Sequence, residues 1–142
     1  MKLADVLHSK DPEIIKIGAH NSIAEAARVL TERKIGAMLV EDEDGAVVGL
    51  LSERDIVRGL GPHGADLHDV KVSELMTRNL IRCSPADTVN EAMAMMTDRR
   101  VRHLPVFDGE ELVGFISIGD LVKCRITEVQ AEAEAMRAYI AS

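Results

Sequence analysis

Aromatic residues are almost absent from this 142-residue chain: Phe107, Phe115 and Tyr139 are the whole set, and there is no tryptophan. A core built from this material must be aliphatic, filled by Ile, Val, Leu, Ala and Met. Base stacking on aromatic platforms, a common grip on single-stranded nucleic acid, is excluded as a main binding mode. Cysteine is equally scarce. Cys83 and Cys124 stand far apart with no C-x-x-C pair, which excludes a disulfide framework and fits reduced thiols in a reducing compartment, the cytoplasm by default. No stretch approaches the roughly 18 consecutive apolar residues of a membrane span, and the start MKLADVLHSKDPEI has no basic segment leading into a long apolar run. Neither secretion nor membrane insertion is expected. Positive charge is in deficit, with 17 Lys and Arg against 24 Asp and Glu and a net charge of −7. That balance repels a phosphate backbone over the molecule as a whole, so no nucleic-acid partner is expected, while a small anion needs only a local basic patch.

What is present is a chain 46% hydrophobic and 29% charged, a balance of ordered globular proteins. Its length suits one domain or two small halves. The phrase "GLLSERD", Gly49 to Asp55, returns 65 residues later as "GFISIGD", Gly114 to Asp120. Upstream, "NSIAEAARVLTERKIGAMLVED" (21 to 42) aligns with "DTVNEAMAMMTDRRVRHLPVFD" (87 to 108), and "KLADVL" (2 to 7) with "KVSELM" (71 to 76). The chain is two tandem units. The boundaries this implies are a first repeat over residues 1–60, a Gly-rich polar linker over 61–70, a second repeat over 71–125 and a C-terminal helix over 126–142.

Each unit parses alike. Ser22 with Glu25, and Thr88 with Glu91, have the spacing of a capping box, so a helix is expected after each. Ile23, Ala26, Ala27 and Leu30 share one helical face, as do Val89, Ala92, Met93 and Met96. Short apolar strands follow at Ala37 to Val40 and Leu104 to Phe107. Asp44-Gly45 and Asp108-Gly109 then turn the chain into hairpins with Val47–Leu51 and Leu112–Ile116. With strands at Ile14–Ile17 and Leu80–Cys83, each repeat reads β-α-β-β-α, preceded by a short helix. The fold class is mixed α/β.

The repeated S-x-x-D admits two readings. One is a helix start, with Ser as N-cap and Asp favoured by the helix dipole. The other adds a ligand: free amides and a hydroxyl suit a phosphate, and a carboxylate accepts two hydrogen bonds from a vicinal diol such as a ribose. Gly49 and Gly114, three residues before each serine, would let a ligand approach the backbone closely.

The tandem G-h-h-S-x-x-D ends, the stretch "VSELMTRNLIRCSPADTV" and "RHLPV" resemble cystathionine-β-synthase-type (CBS) domains, two of which form a Bateman module. The resemblance covers residues 2 to 125. It implies a pair of repeats about a pseudo-two-fold axis, with clefts between the halves that take adenosine compounds such as AMP, ADP, ATP, NAD(H) or S-adenosylmethionine, AMP first, with ATP or NAD(H) as alternatives. Carried over residue by residue, it assigns the ribose diol to Asp55 and Asp120 and help with phosphate to Ser52 and Ser117. It also places phosphate-binding basic residues at Arg102 and His103, where the first repeat has Gly36 and Ala37. A guanidinium forks onto phosphate oxygens and an imidazolium adds a second contact, so the second repeat is expected to bind phosphate better. The other reading of this pair is a snorkelling Arg102 and a satisfied core-edge His103. Arg54 and Lys16 are candidate charges in the first repeat, and adenine is expected near Ile15 or Ile81.

No other chemistry stands out. His63, Asp66, His68 and Asp69 crowd the linker without a metal-ligand spacing and read as a solvated loop. Cys83 reads as a small hydrophobe on a strand. There is no nucleophile elbow or phosphate-loop signature, hence no expected catalytic residue or metal. Past the repeats, Val122, Ile126, Val129, Ala133, Met136 and Ile140 step alternately by four and three, a helical seam that either packs on its own domain or takes a partner. A homodimer using this helix is expected. Two functions remain: a regulatory module that binds an adenosine nucleotide and alters contact with an unidentified protein partner, or a scaffold that binds no ligand.

Overall fold

The short segments that precede each repeat carry large apolar residues at the first, fourth and fifth positions: Leu3, Val6, Leu7 and Val72, Leu75, Met76. One face of each is therefore built to be buried. In the computed structural model, which describes residues 1–142, that face decides how the chain divides. One compact unit is Ile14–Leu80; the other joins Met1–Glu13 to Ile81–Ser142. Each lead-in helix thus packs with the repeat other than the one it precedes in sequence, and the folding units are displaced from the sequence repeats by one helix.

In the unit Ile14–Leu80, strand β1 (Lys16–Gly18) leads to helix α2 (Ile23–Arg33), strands β2 (Ala37–Glu41) and β3 (Val47–Ser52), helix α3 (Glu53–His63), a 3₁₀ turn at Gly64–Asp69 and helix α4 (Val72–Leu75). Strand order is β1-β2-β3, with β1 parallel and β3 antiparallel to β2. Ser22 caps α2 with the full reciprocal box: Glu25 N donates to Ser22 Oγ at 3.1 Å and Ser22 N donates to Glu25 Oε1 at 3.4 Å. The core gathers Ile17, Ile23, Leu30, Met38, Val40, Leu51, Val72 and Met76 among others. The linker is not a loop: α3 runs through Pro62 to His63, and Leu67 and Val70 are buried. Its His and Asp side chains do remain at the surface, with His63 half-buried.

In the other unit, helix α1 (Leu3–His8) joins α5 (Val89–Arg99), β4 (His103–Asp108), β5 (Glu111–Ser117) and the 24-residue α6 (Ile118–Ala141). The core is Leu3, Val6, Cys83, Val89, Met96, Leu104, Val106, Ile116 and Leu121 with their neighbours. Leu3 and Val6 are 0% and 2% exposed, and the Leu3 amide donates to Asp87 O at 2.9 Å. As expected, Gly45 and Gly109 supply the positive φ of the two hairpins, 82° and 62°.

Four sequence expectations change. Leu80–Cys83 is not a strand but a single parallel bridge from Cys83 to Val106. Cys83 N donates to Pro105 O and its carbonyl accepts from Phe107 N, whereas the Leu80 amide turns back to Arg78 O and no ladder extends from the bridge. Its counterpart begins pairing only at Lys16 rather than Ile14. Thr88 caps α5 at 3.1 Å, but the return bond from Glu91 is missing. Asn21 donates to Glu25 at 2.6 Å and holds it in place, whereas the equivalent residue, Asp87, has no proton to give. Finally, the C-terminal helix does not start at 126 but is one helix from Ile118.

Candidate functional site

The strand-to-helix joint of each repeat carries the S-x-x-D motif, and in both the cap is formed. Ser52 N donates to Asp55 Oδ2 at 3.0 Å and Asp55 N to Ser52 Oγ at 3.3 Å. Ser117 N donates to Asp120 Oδ2 at 2.8 Å and Asp120 N to Ser117 Oγ at 3.1 Å. The helix-start reading of the motif is therefore correct for both copies. Whether a copy has capacity beyond its cap depends on what else reaches the carboxylate.

In the unit Ile14–Leu80 both carboxylate oxygens are engaged. Asp55 is 6% exposed. Thr77, just past α4, donates its hydroxyl to both Asp55 oxygens at 3.3 and 3.4 Å, and Arg58 lies 3.8 Å from Oδ1. Lys16 faces Glu41 at 3.8 Å, so its charge is already answered. Ile15 packs half-buried against the core.

The other unit is more open. Lys10, arriving from the chain after α1, places Nζ 2.6 Å from Asp120 Oδ2 and 2.6 Å from Phe115 O. Ser117 and Lys10 both use Oδ2, so Asp120 Oδ1 accepts from no protein donor, and the side chain is 28% exposed. Strand register sets His103 directly opposite Ser117, its ring stacked on Phe115 at 5.5 Å between centroids. Arg102 next to it is exposed, while its carbonyl accepts from Ile118 N at 2.8 Å. The Ser117 hydroxyl proton and the Gly119 amide are uncommitted. Ser117, Asp120, Arg102 and His103 are thus brought together as expected, and Lys10 joins them. Sequence reasoning missed Lys10 because it lies in the other repeat's lead-in with no motif around it. Ile81 packs half-buried against this unit's core. A groove of about 510 Å³ runs past Asp120, Lys10 and Lys123 between α1 and α6.

Charge follows from this packing. Burial works to raise the Asp120 pKa, but the Lys10 hydrogen bond and charge and the Ser117 amide outweigh it and hold the carboxyl below its ordinary range. His103 moves down from its ordinary 6.5, chiefly through burial, then through Lys10 and Arg102 against the opposing pull of Asp120. At neutral pH His103 is therefore an uncharged ring, not the imidazolium expected, and offers a phosphate one N–H rather than a charge. Between the lowered folded value and 6.5 the unfolded chain binds more protons, so stability falls as pH drops through that window. The melting temperature should decline from pH 7 to pH 5, and His103→Gln should flatten the decline. Equal slopes in the two proteins would refute this titration.

The motif glycines have a structural cause. A Cβ on Gly49 would meet Met76 Sδ at 2.7 Å and Thr77 O at 2.9 Å; one on Gly114 would run into the Leu7 side chain. The close approach expected of a ligand is made by the chain's own lead-in segments. Cys83 is buried, its thiol pushed up to about 12 by burial and then by Asp87, in keeping with a packing role. No group of three or more metal-ligating side chains exists, and no helix is long and apolar enough to cross a membrane.

Two hairpin-bearing α/β units, each ending a strand in a serine-capped helix whose third residue is aspartate, define a tandem-repeat module of a specific kind. The CBS domain family model matches residues 3–61 and 72–126, and the chain belongs to the CBS-domain family. It is 32% identical, over 97% of its own length and 71% of the relative's, to the mitochondrial CBS domain-containing protein CBSX3 of Arabidopsis thaliana. Among solved structures it superimposes on a CBS-domain protein of Agrobacterium tumefaciens with a TM-score of 0.85 at 42% identity, covering 87% of this chain and 92% of that one. It also matches the CBS domain pair of protein MJ0100, solved with 5′-methylthioadenosine and S-adenosyl-L-methionine. There the TM-score is 0.75 at 25% identity, over 87% and 98% of the two chains.

Proposed function

We propose that this chain is a regulatory module that binds an adenosine compound through the Ser117–Asp120 joint and thereby changes its contact with a protein partner. The observation that carries the reading is the asymmetry between the two carboxylates. Asp55 is enclosed by protein donors, while Asp120 keeps one oxygen unused beside a cation, a hydroxyl proton and a helix amide. Asp120 Oδ1 would accept from the ribose diol, and Ser117, the Gly119 amide and Arg102 would hold phosphate, with His103 donating a single N–H. The ligand complex of the MJ0100 pair supports an adenosine-type ligand. AMP is the first choice, with ATP or NAD(H) as alternatives, and adenine is assigned to the neighbourhood of Ile81 or Ile15. The module performs no catalysis in this reading and works in the cytoplasm.

A ligand that binds only the folded state raises the melting temperature. Thermal unfolding with AMP, ATP, NADH, S-adenosylmethionine and 5′-methylthioadenosine should give a rise for at least one, and Arg102→Ala should reduce that rise for the phosphate-bearing ligands. No rise with any of them would favour a scaffold that binds no ligand. The enclosure of Asp55 already favours that second reading for the first repeat alone.

A further inference from the structure

Lys10, just past α1, spends its ammonium group on the Ser117–Asp120 joint. It donates to Asp120 Oδ2 and to Phe115 O, both at 2.6 Å, from a side chain 32% exposed. Phe115 lies on β5 two residues before the capping serine, so one cation ties the end of the strand to the first turn of α6. The joint at Ser52 is held differently. There too a residue just past a lead-in helix donates to the motif carboxylate, but Thr77 brings a neutral hydroxyl, and Arg58 stands 3.8 Å off on a side chain 69% exposed. We infer that Lys10 is a positioning residue that acts through Asp120 and makes the Ser117–Asp120 joint prefer phosphorylated adenosine compounds to uncharged ones. This preference rests on the adenosine site proposed above.

Two effects of the lysine work together. Oδ2 already accepts from Ser117 N at 2.8 Å, and the bond from Lys10 to the same atom fixes the carboxylate's rotation, leaving Oδ1 as the acceptor presented to a sugar hydroxyl. The second effect is electrostatic. An ionised carboxylate close to a phosphate lowers the affinity for it, because like charges in a partly dry site repel more strongly than in water. The groove that runs past the joint is lined by three acids, Asp5, Asp11 and Asp120, and by two lysines, Lys10 and Lys123. Asp5 and Asp11 accept from the Lys2 and Glu13 amides at 3.0 and 2.9 Å, and amides leave their charge in place. Without Lys10, Asp120 becomes a further uncompensated carboxylate facing the ligand. With Lys10 bonded to it at 2.6 Å that charge is cancelled, and the exposed Arg102 acts on a phosphate without opposition from Asp120.

Calorimetric titration of the whole chain with AMP, adenosine and 5′-methylthioadenosine should show AMP binding about tenfold more tightly than the two uncharged compounds. Lys10→Gln, which keeps an N–H for Phe115 O but no charge, should weaken AMP about tenfold and the uncharged compounds by less than about threefold. Lys10→Arg should keep the preference. Adding Asp120→Asn to Lys10→Gln leaves a side-chain oxygen at position 120 without its charge, and should return the ratio of AMP to adenosine affinity towards the wild-type value even though both bind more weakly. A lysine that only props the fold would lose all three compounds together and show no such return. On the unaltered chain, raising NaCl from about 50 to about 500 mM should shrink the preference for AMP, a readout that stands whether or not the variants fold. Equal weakening of AMP and adenosine in Lys10→Gln with an unchanged circular dichroism spectrum, no return of the ratio in the double variant, or an AMP preference that salt does not move overturns the inference and leaves the adenosine site standing. A wild-type chain that binds none of the three compounds overturns both.

Discussion

Leu3→Ala is expected to destabilise the protein by about 2–5 kcal/mol, the range for truncating a fully buried leucine that leaves a cavity. Leu3 is 0% exposed, and it belongs to the same core as Val89, Leu104, Ile116 and Leu121 of the unit completed by residues 81–142. The damage should therefore appear far away in sequence. Native-state hydrogen exchange should speed in β4, β5 and α5, while β2 and β3, which lie nearer to residue 3 along the chain, keep most of their protection. Protection lost first in residues 14–60 would show that α1 packs on the repeat it precedes.

This exchange of lead-in helices marks how far the residues alone could be read. Spacing of apolar positions told which face of α1 and α4 is buried, because a helix turns by a fixed angle per residue. It could not tell what covers that face, because both repeats offer similar aliphatic surfaces. The repeats, hairpins and capped joints were legible since each rests on local chemistry: a glycine at positive φ, a hydroxyl three residues from an amide. What was lost depended on distant partners. Lys10 reaches Asp120 across 110 residues of sequence, and the strand expected at Leu80–Cys83 shrinks to one bridge from Cys83 to Val106, whose partner strand lies more than twenty residues on. Lys34 and Arg100 end α2 and α5 in the left-handed region, each with φ of 55°. No glycine advertises those stops, and Ile35 and Val101 close them with bonds back to Leu30 and Met96. Gly49 and Gly114 do admit a close approach, but Met76, Thr77 and Leu7 make it.

The two aspartates should part company when each is replaced by alanine. Asp55→Ala removes the acceptor of Ser52 N and of the Thr77 hydroxyl in a place that excludes water. A lost cap together with unsatisfied buried donors amounts to about 2–4 kcal/mol. Asp120→Ala removes a cap and frees Lys10, but that joint is partly open to solvent, so water replaces some of what is lost and the cost should be nearer ~1 kcal/mol. Asp120 is ionised below the usual carboxylate range in the folded chain, so its contribution is present above the ordinary 3.8 and disappears as pH falls through the lowered folded value. For ligand response the order should invert. Asp120→Ala should abolish the rise in melting temperature given by an adenosine compound, while Asp55→Ala, measured against its own lower starting point, should keep most of it. That crossing separates a carboxylate that holds the fold from one that has an oxygen to spare, because a purely structural pair would lose stability and response in the same order. Should Asp55→Ala instead remove the ligand response while Asp120→Ala retains it, the binding joint is the one at Ser52, and the enclosure of Asp55 must open to admit the ribose.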